Sequence, residues 1–378
     1  WSKLKRQYGE RARQRFLHRL QKEITKRGTV DVLRNGVKDR GAKIRLVYFE
    51  PPTELNPALQ KKYQANLFSV VRQLAYSADD RDKKHRLTLD LAIFLNGLPL
   101  FTVELKNPLT GQTYKDAIRQ YQRTRDPREP LFAFSRCLAH FALDPDQAWF
   151  ATRLQGEATR FFPFNRGRGT GAGNPIPSAG KFATAYLWEE VWTKDSILNL
   201  VQHFVHEIDI LDDKGHKTGE KALIFPRYHQ LDTVRRLVAD ARELGPGERY
   251  LIQHSAGSGK TFTIAWLAHQ LTELHNRVNE SIFDTIVVIT DRRALDRHLQ
   301  QHVREFEQVR GLVRNIRGTS QDLKDALEEG KRIVVSTLQK LPFISEEIQS
   351  LPSHRFALII DEAHSSQSGE MRKHLKSG

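Results

Sequence analysis

Short apolar runs alternate with longer amphipathic stretches in the C-terminal part of the chain. The runs have the length of buried strands and cover residues 249–253, 285–290, 332–337 and 356–360. Those at 285–290 and 332–337 are rich in β-branched residues. Stretches with helical periodicity follow three of them, at 262–274, 293–306 and 339–350. Because strands that alternate with helices are typical of parallel sheets covered by helices, the pattern predicts an α/β domain with a doubly wound, mostly parallel sheet.

A different pattern occurs nearer the N-terminus. Residues 87–95 form an apolar strand candidate, and Asn96 and Gly97 are typical of a tight two-residue turn. Residues 100–106 then form the return strand. This part of the chain therefore predicts an antiparallel hairpin rather than a strand–helix unit.

A glycine-rich stretch separates these two regions. Residues 165–175 contain four glycines and predict irregular structure, and a linker is favoured over a nucleotide fingerprint because no strand–helix context surrounds them. Residues 183–209 have a helical pattern, and residues 212–215 are typical of a turn before the next domain begins.

A candidate phosphate-binding loop follows the run at 249–253. It consists of Ser255, Ala256, Gly257, Ser258, Gly259, Lys260 and Thr261. Gly257 and Gly259 let backbone N–H groups turn towards phosphate oxygens, Lys260 can reach the β- and γ-phosphates, and Thr261 offers a hydroxyl to Mg²⁺. His254 stands where the general motif has glycine, so the loop departs from the pattern at one position.

An acidic pair ends the last apolar run. Asp361 and Glu362 follow residues 356–360, at the carboxyl end of the predicted strand, where ligands bind in open α/β sheets. Asp361 is suited to hold Mg²⁺, and Glu362 to orient the water that attacks a phosphate. With the loop at Lys260 upstream, the pair predicts an ATP-binding site.

The predicted hairpin contains a second acidic pair, Asp90 and Glu104, together with Lys106. Glu104 and Lys106 are two residues apart and therefore project from one face of their strand. Charges on a buried strand are costly unless they have partners, and a Mg²⁺ ion shared by Asp90 and Glu104 supplies one. Lys106 would then hold the attacking water or hydroxide. These three residue types also occur on strands by chance, so the spacing alone leaves a structural role open.

The hairpin geometry provides a check on this hypothesis. A regular two-residue turn pairs residues whose numbers sum to 193 and puts Val103, not Glu104, opposite Asp90. The two carboxylates would then lie on opposite faces of the sheet. One extra residue restores a common face, and Pro99, which cannot donate a ladder hydrogen bond, favours an irregularity. We therefore predict a bulge or an odd-length loop within residues 96–100.

From about residue 223 onward the chain resembles the first RecA-like lobe of a superfamily 2 helicase or translocase of the DEAH-box type. The resemblance rests on the loop at Lys260 and on Asp361–His364. It implies ATP and Mg²⁺ as cofactors, and it places Gln230 on the adenine base. It also places residues 290–292 and 336–337 in DNA-contacting motifs.

The hairpin resembles the PD-(D/E)xK nuclease core, and the whole chain resembles the motor subunit of type I restriction-modification enzymes. The stretches that carry the wider likeness are residues 66–74, 94–99, 104–108, 117–121 and 187–196. The resemblance implies that Asp90, Glu104 and Lys106 are catalytic and that Gln120 helps the nuclease contact DNA. Thr124 stands where the family has tyrosine, and Tyr121, one helical position after Gln120, is not expected to replace that tyrosine.

The resemblance implies a mixed-sheet nuclease domain at 1–160, a connector at 161–220 and a RecA-like ATPase lobe at 221–378. It implies a type I site-specific deoxyribonuclease that translocates double-stranded DNA and works with a DNA methyltransferase (modification) subunit and a specificity subunit. The chain begins at Trp1 and stops at Gly378, so we expect the N-terminal part of a longer subunit, without the second lobe. Two alternatives stay open: a helicase–nuclease that acts without methyltransferase partners, and a nucleotide-gated DNA-binding scaffold with degenerate sites.

Charge supports a polyanionic partner. The chain has 60 basic and 45 acidic residues, and residues 1–48 alone hold 15 basic and four acidic ones. The basic stretch 11–27 is compatible with a helix that faces nucleic acid, docks on protein or is merely solvated. A single cysteine, Cys137, excludes an internal disulfide and fits a reducing cytoplasm. No apolar run is long enough to span a membrane.

Overall fold

The chain divides into two compact units, residues 1–51 with 56–228 and a second unit that begins at His229. The segment predicted as a connector, residues 161–220, lies within the first unit. The structure is a computed structural model that describes residues 1–51, 55–77, 87–212, 215–276, 278–290, 293–307, 311–316, 320–340, 344, 349–351 and 353–361.

Helices open the first unit. They are α1 (Ser2–Tyr8), α2 (Ala12–Asn35) and, after the short strands β1 (Val37–Asp39) and β2 (Ala42–Ile44), α3 (Pro57–Gln64). One side of α1 and α2 is apolar and buried, through Leu4, Phe16, Ile24 and Val32, and it packs against Leu98 of the sheet region. Most basic residues of these helices are therefore left on the solvent side, whereas Arg34 is half-buried and donates to the Val201 carbonyl.

A six-stranded mixed sheet forms the body of the first unit. Its strands lie in chain order as β3 (Phe68–Ala75), β4 (Thr88–Leu95), β5 (Leu98–Leu105), β6 (Ala139–Leu143), β7 (Ala148–Ala151) and β8 (Phe162–Pro163). Only the β5–β6 pair is parallel, and helix α4 (Tyr114–Thr124) lies between these two strands in the chain. The predicted mixed sheet is therefore confirmed.

The turn between β4 and β5 is the tight one that the sequence predicts. Asn96 and Gly97 have φ values of 49° and 83°. Positive φ at both central residues defines the mirror-image turn whose twist suits a hairpin, and Asn-Gly tolerates it best. The Asn96 side chain also donates to the Leu46 carbonyl at 2.7 Å, which fixes the turn to the N-terminal region.

The predicted bulge is confirmed on β5. Phe94 pairs with Pro99, whereas the preceding residue, Ile93, pairs with Phe101, so Leu100 is the extra residue. The register shifts by one at this point, and the side chains beyond it change face relative to β4.

Helical turns and a second hairpin complete the first unit. They comprise α5 (Lys194–Asn199), flanked by π-helical turns at Leu187–Val191 and Leu200–Phe204, and the strands β9 (His206–Leu211) and β10 (Lys217–Ile224). The helical pattern predicted to residue 209 is therefore wrong from His206 onward, because that segment pairs with β10. The glycine-rich stretch is irregular, as predicted, and the Asn174 side chain ties it to the Asp146 carbonyl at 2.8 Å.

The second unit is a strand–helix alternation. Its elements are α6 (Tyr228–Leu244), α7 (Lys260–Thr272), β11 (Thr285–Thr290), α8 (Arg293–Glu305), β12 (Val313–Asn315), α9 (Ser320–Glu328), β13 (Ile333–Thr337) and β14 (Phe356–Ile360). The strand order is β12-β13-β11-β14 and every pair is parallel. The RecA-like parallel sheet is confirmed, with Val287, Ile289 and Val334 fully buried in it.

One strand prediction in the second unit is wrong. Residues 249–253 form no strand, and Leu251 is 88% exposed. An apolar run becomes a strand only when a neighbour satisfies its backbone groups, and this run has no ladder partner among the described residues. The helix predicted at 339–350 falls mostly outside the described residues.

Candidate active sites

Asp90 and Glu104 lie on adjacent strands beyond the bulge. Leu91 pairs with Val103, so the next pair in this register is Asp90 and Glu104. The Asp90 carboxylate accepts a hydrogen bond from the Leu105 amide at 2.8 Å and another from the Gln73 side chain at 3.2 Å. The structure thus brings together the two carboxylates that the sequence selects.

Glu104 is fully buried and paired with a cation. Its Oε1 accepts from Arg125 Nε at 2.7 Å, and Arg125 Nη2 lies 2.5 Å from the same oxygen. Burial raises the pKa of the Glu104 carboxyl to about 7; Arg125 lowers that pKa and the Asp90 carboxylate raises it. Oε2 is buried without a hydrogen-bond partner.

Lys106 and Gln120 also meet. Lys106 Nζ donates to Gln120 Oε1 at 2.5 Å, which links the end of β5 to α4. The Lys106 amide donates to the Leu143 carbonyl at 2.9 Å, so its backbone is held by the parallel neighbour β6. The Lys106 ammonium is therefore oriented by a neutral amide at the strand end that carries Glu104.

The position of the family tyrosine is occupied differently. Thr124 is exposed, and its hydroxyl donates to the Gln120 carbonyl at 2.8 Å, which is a local helix contact. Tyr121 is fully buried with its hydroxyl 2.9 Å from that of Thr102. Neither side chain supplies the missing phenol at the site, because Thr124 has no ring and the Tyr121 hydroxyl is buried against Thr102.

Two residues at this site were missed by the sequence analysis. Arg125 follows the last residue of α4, outside its helical pattern, and Gln73 lies in mid-strand on β3 with a φ of 50°. A positive φ in a non-glycine residue costs free energy and is concentrated at functional sites. No local pattern singles out either residue, although the cost of burying Glu104 does predict some cationic partner.

A cavity of about 720 Å³ opens beside the carboxylates. Its lining residues are Val70, Val71, Arg72, Gln73, Asp90, Leu91 and Leu105. Asp90 faces this space while Glu104 lies behind it in the sheet. Among the described residues that line the cavity, Arg72 is an exposed cation that a phosphodiester strand entering it would meet.

The residues present fit a magnesium ion. Oxygen ligands from one or two carboxylates, with water in the remaining positions, are the usual protein set for Mg²⁺. The unpartnered, buried Oε2 of Glu104 is an acceptor that a cation would satisfy. Within the described residues no group of three or more His, Cys, Asp or Glu residues forms a larger metal cluster.

The candidate phosphate-binding loop lies directly before α7, in the position that the sequence predicts. Gly257 and Gly259 have φ values of 72° and 85°, and α7 begins at Lys260. A Cβ at Gly259 would lie 2.6 Å from Gln230 Nε2, so a larger residue there would displace the Gln230 amide and would be strained by the positive φ. The helix N-terminus directs N–H groups towards a bound anion.

Two residues of α6 hold this loop. Gln230 is 4% exposed and donates to the Gly259 carbonyl at 2.9 Å, and His229 Nε2 lies 3.1 Å from the Ser258 carbonyl. The His254 ring packs edge-on against His229. Burial lowers the pKa of His254, and the neighbouring His229 and Lys260 lower it further, which favours a neutral ring.

Asp361 follows β14 at the carboxyl edge of the parallel sheet. Its amide donates to the Ile289 carbonyl at 2.8 Å, and the residue is 8% exposed. Helix α7, which carries Lys260 and Thr261, packs against β11, β13 and β14. Glu362 and residues 291–292 lie outside the described residues.

Each unit matches the model of a known protein family. Residues 1–159 match the family model of the type I restriction enzyme R protein N terminus, and residues 229–378 match that of the SWI2/SNF2 ATPase. No helix in the described part of the chain is long and apolar enough to cross a membrane.

Curated relatives are similar over most of the chain. The HindI type I restriction enzyme endonuclease subunit of Haemophilus influenzae is 27% identical over 82% of this chain and 28% of its own length. The SauCOLORF180P subunit of Staphylococcus aureus is 24% identical over 84% of this chain and 31% of its own. The chain spans about 30% of the length of such relatives. By these matches, taken with the order of its two units, the chain is similar to type I restriction enzyme endonuclease subunits.

Proposed function

We propose that this chain is part of a type I restriction motor subunit, which drives double-stranded DNA translocation with ATP and couples it to Mg²⁺-dependent cleavage. The observation that carries the proposal is the convergence of Asp90, near the start of β4, with Glu104, near the end of β5, beside the Lys106–Gln120 pair that joins this strand end to α4. A phosphate-binding unit follows in the same chain.

In the nuclease unit, Asp90 and Glu104 would hold Mg²⁺. Bound there, the ion supplies a Lewis acid that stabilises charge on the phosphate and activates water. Lys106 holds and orients the attacking water or hydroxide, and Gln120 keeps the Lys106 ammonium in place and contacts DNA. Gln73 fixes the Asp90 carboxylate from β3.

In the ATPase unit, the backbone of residues 255–259 cradles the phosphates and Lys260 neutralises them. Thr261 and Asp361 would hold Mg²⁺, and Glu362 would orient the attacking water. Gln230 is the proposed adenine contact, and in this structure its amide holds the phosphate loop. This unit would carry out ATP hydrolysis, whereas the unit that contains Asp90 would carry out DNA cleavage.

The exposed basic side of the N-terminal helices supports a DNA partner. Arg15, Lys22 and Lys26 are exposed on α2, and their spacings of seven and four residues put them on one helical face. Phosphate contacts of this kind supply sequence-independent affinity. Target recognition and methylation are assigned by this proposal to partner specificity and modification subunits.

The proposal is tested with the complete subunit, assembled with its methyltransferase and specificity partners. It predicts that unmodified plasmid is cut only when ATP and Mg²⁺ are both present, and that DNA stimulates ATP hydrolysis. Cleavage by the subunit alone, without methyltransferase partners, would favour the helicase–nuclease alternative. Binding of DNA without either reaction would favour a scaffold.

A further inference from the structure

The Arg125 guanidinium is buried and connects three strands at the nuclease site. It is 5% exposed and binds Glu104 Oε1 through two nitrogens. Nη1 donates to the Tyr76 hydroxyl at 3.0 Å, and Nη2 donates to the Thr88 carbonyl at 2.8 Å. These partners lie on β5, just after β3, and at the start of β4.

This arrangement makes the two oxygens of Glu104 unequal. Oε1 is engaged by two guanidinium nitrogens, whereas Oε2 is buried and has no donor. Because the guanidinium is a rigid planar fork held at two further points, it restricts rotation of the carboxylate. Glu104 therefore has one oxygen left to offer a cation.

We propose that Arg125 is the positioning residue of the nuclease metal site, holding Glu104 through Oε1 so that Oε2 alone faces the ion shared with Asp90. The inference rests on the metal site of the proposed function. Arg125 touches neither the ion nor DNA and acts through Glu104.

A purely electrostatic role and a positioning role for Arg125 predict opposite changes in metal affinity when Arg125 is removed. Removing a cation near a metal site strengthens metal binding if the role of Arg125 is only electrostatic. Removing the clamp weakens binding, because the ligand must be ordered when the ion arrives; partners of metal ligands typically affect metal affinity by about 10- to 100-fold. The direction of the change therefore identifies the role.

The experiment measures free Mn²⁺ by electron paramagnetic resonance during titration of the nucleotide-free complete subunit. Arg125→Met is expected to weaken Mn²⁺ binding by about tenfold or more. Arg125→Lys keeps the charge, but an ammonium cannot reach all three partners of the guanidinium. We therefore expect Arg125→Lys to bind Mn²⁺ more tightly than Arg125→Met but at least about threefold more weakly than the parent. Arg123→Met is the matched control, because Arg123 is an exposed residue of α4 in a surface ion pair.

The variants distinguish this inference from the proposed function itself. Asp90→Asn should abolish the same Mn²⁺ binding, and equal binding by Asp90→Asn and the parent would reject the metal site altogether. If Asp90→Asn loses the ion while Arg125→Met binds it as tightly as the parent or more tightly, the positioning role is overturned. Should Arg125→Met fail to fold, as judged by thermal unfolding, parent-like binding by folded Arg125→Lys overturns it instead.

Discussion

Asp90 and Glu104 lie across from each other on adjacent strands because one additional residue, Leu100, separates the hairpin turn from Glu104. Without that residue the two carboxylates would project from opposite faces of the sheet. The proposed metal site thus depends on the count of residues in β5 as much as on their identity.

Deletion of Leu100 tests this dependence. The deletion is expected to restore the regular register, turn Glu104 away from Asp90 and abolish Mn²⁺ binding. Leu100→Val keeps the residue count and should retain binding at a cost of about 1 kcal/mol in unfolding free energy. A folded deletion variant that binds Mn²⁺ like the parent would refute the register argument.

The buried Glu104 carboxyl predicts a pH dependence of stability in the metal-free subunit. Its pKa rises from the usual 4.5 to about 7 in the folded protein. A group that binds its proton more tightly when folded stabilises the fold below about pH 4.5, and this contribution is lost as the pH rises through about 7. The loss amounts to on the order of 3 kcal/mol.

Calorimetric unfolding of the parent and of Glu104→Gln from pH 5 to 8 checks this sign. Glutamine cannot titrate, so the parent should lose stability relative to the variant as the pH rises. Parallel curves for the two proteins would show that Glu104 does not change its proton affinity on folding.

The basic face of α2 predicts a salt-dependent DNA contact. Changing Arg15, Lys22 and Lys26 to glutamine should weaken binding of duplex DNA and reduce the slope of log affinity against log salt by about 0.9 per lost contact. The matched control neutralises three exposed basic residues elsewhere in the first unit, Arg160, Arg168 and Lys194. An equal loss in both triple variants would indicate a diffuse charge effect rather than a defined face.

We expect Lys260→Ala to weaken binding of ATP by the ATPase unit without weakening binding of Mn²⁺ by the nuclease unit. Removing the ammonium should lower ATP affinity and abolish ATP hydrolysis. Cleavage by the assembled enzyme should also stop, because the proposed function couples cutting to ATP-driven translocation. Mn²⁺ binding at Asp90 and Glu104 should be unchanged. Fluorescent nucleotide binding and Mn²⁺ titration on the same preparation provide both readouts, and normal ATP turnover would contradict the assignment.

Local patterns were sufficient to predict much of this architecture. The Asn96-Gly97 turn, the bulge near Pro99 and the parallel strands β11, β13 and β14 follow from properties of a few consecutive residues. The phosphate loop is also local, since its glycines and Lys260 are neighbours in the chain.

Features that depend on distant partners were not predicted. Arg125 reaches Glu104 from beyond the end of a helix, and Gln73 reaches Asp90 from a neighbouring strand. The run at 249–253 was wrongly predicted as a strand for the same reason, because apolar composition does not supply a ladder partner. Each of these depends on tertiary pairing that the periodicity of one segment does not encode.

The most direct test of the account compares DNA cleavage and ATP turnover by the assembled enzyme carrying Lys106→Ala. Lys115→Ala, an exposed lysine on α4, is the control. The account predicts that Lys106→Ala lowers cleavage by about 100-fold or more while DNA-stimulated ATP turnover stays at the parent level. Retained cleavage would contradict the catalytic role of Lys106. Equal loss of both activities would contradict two separate catalytic sites.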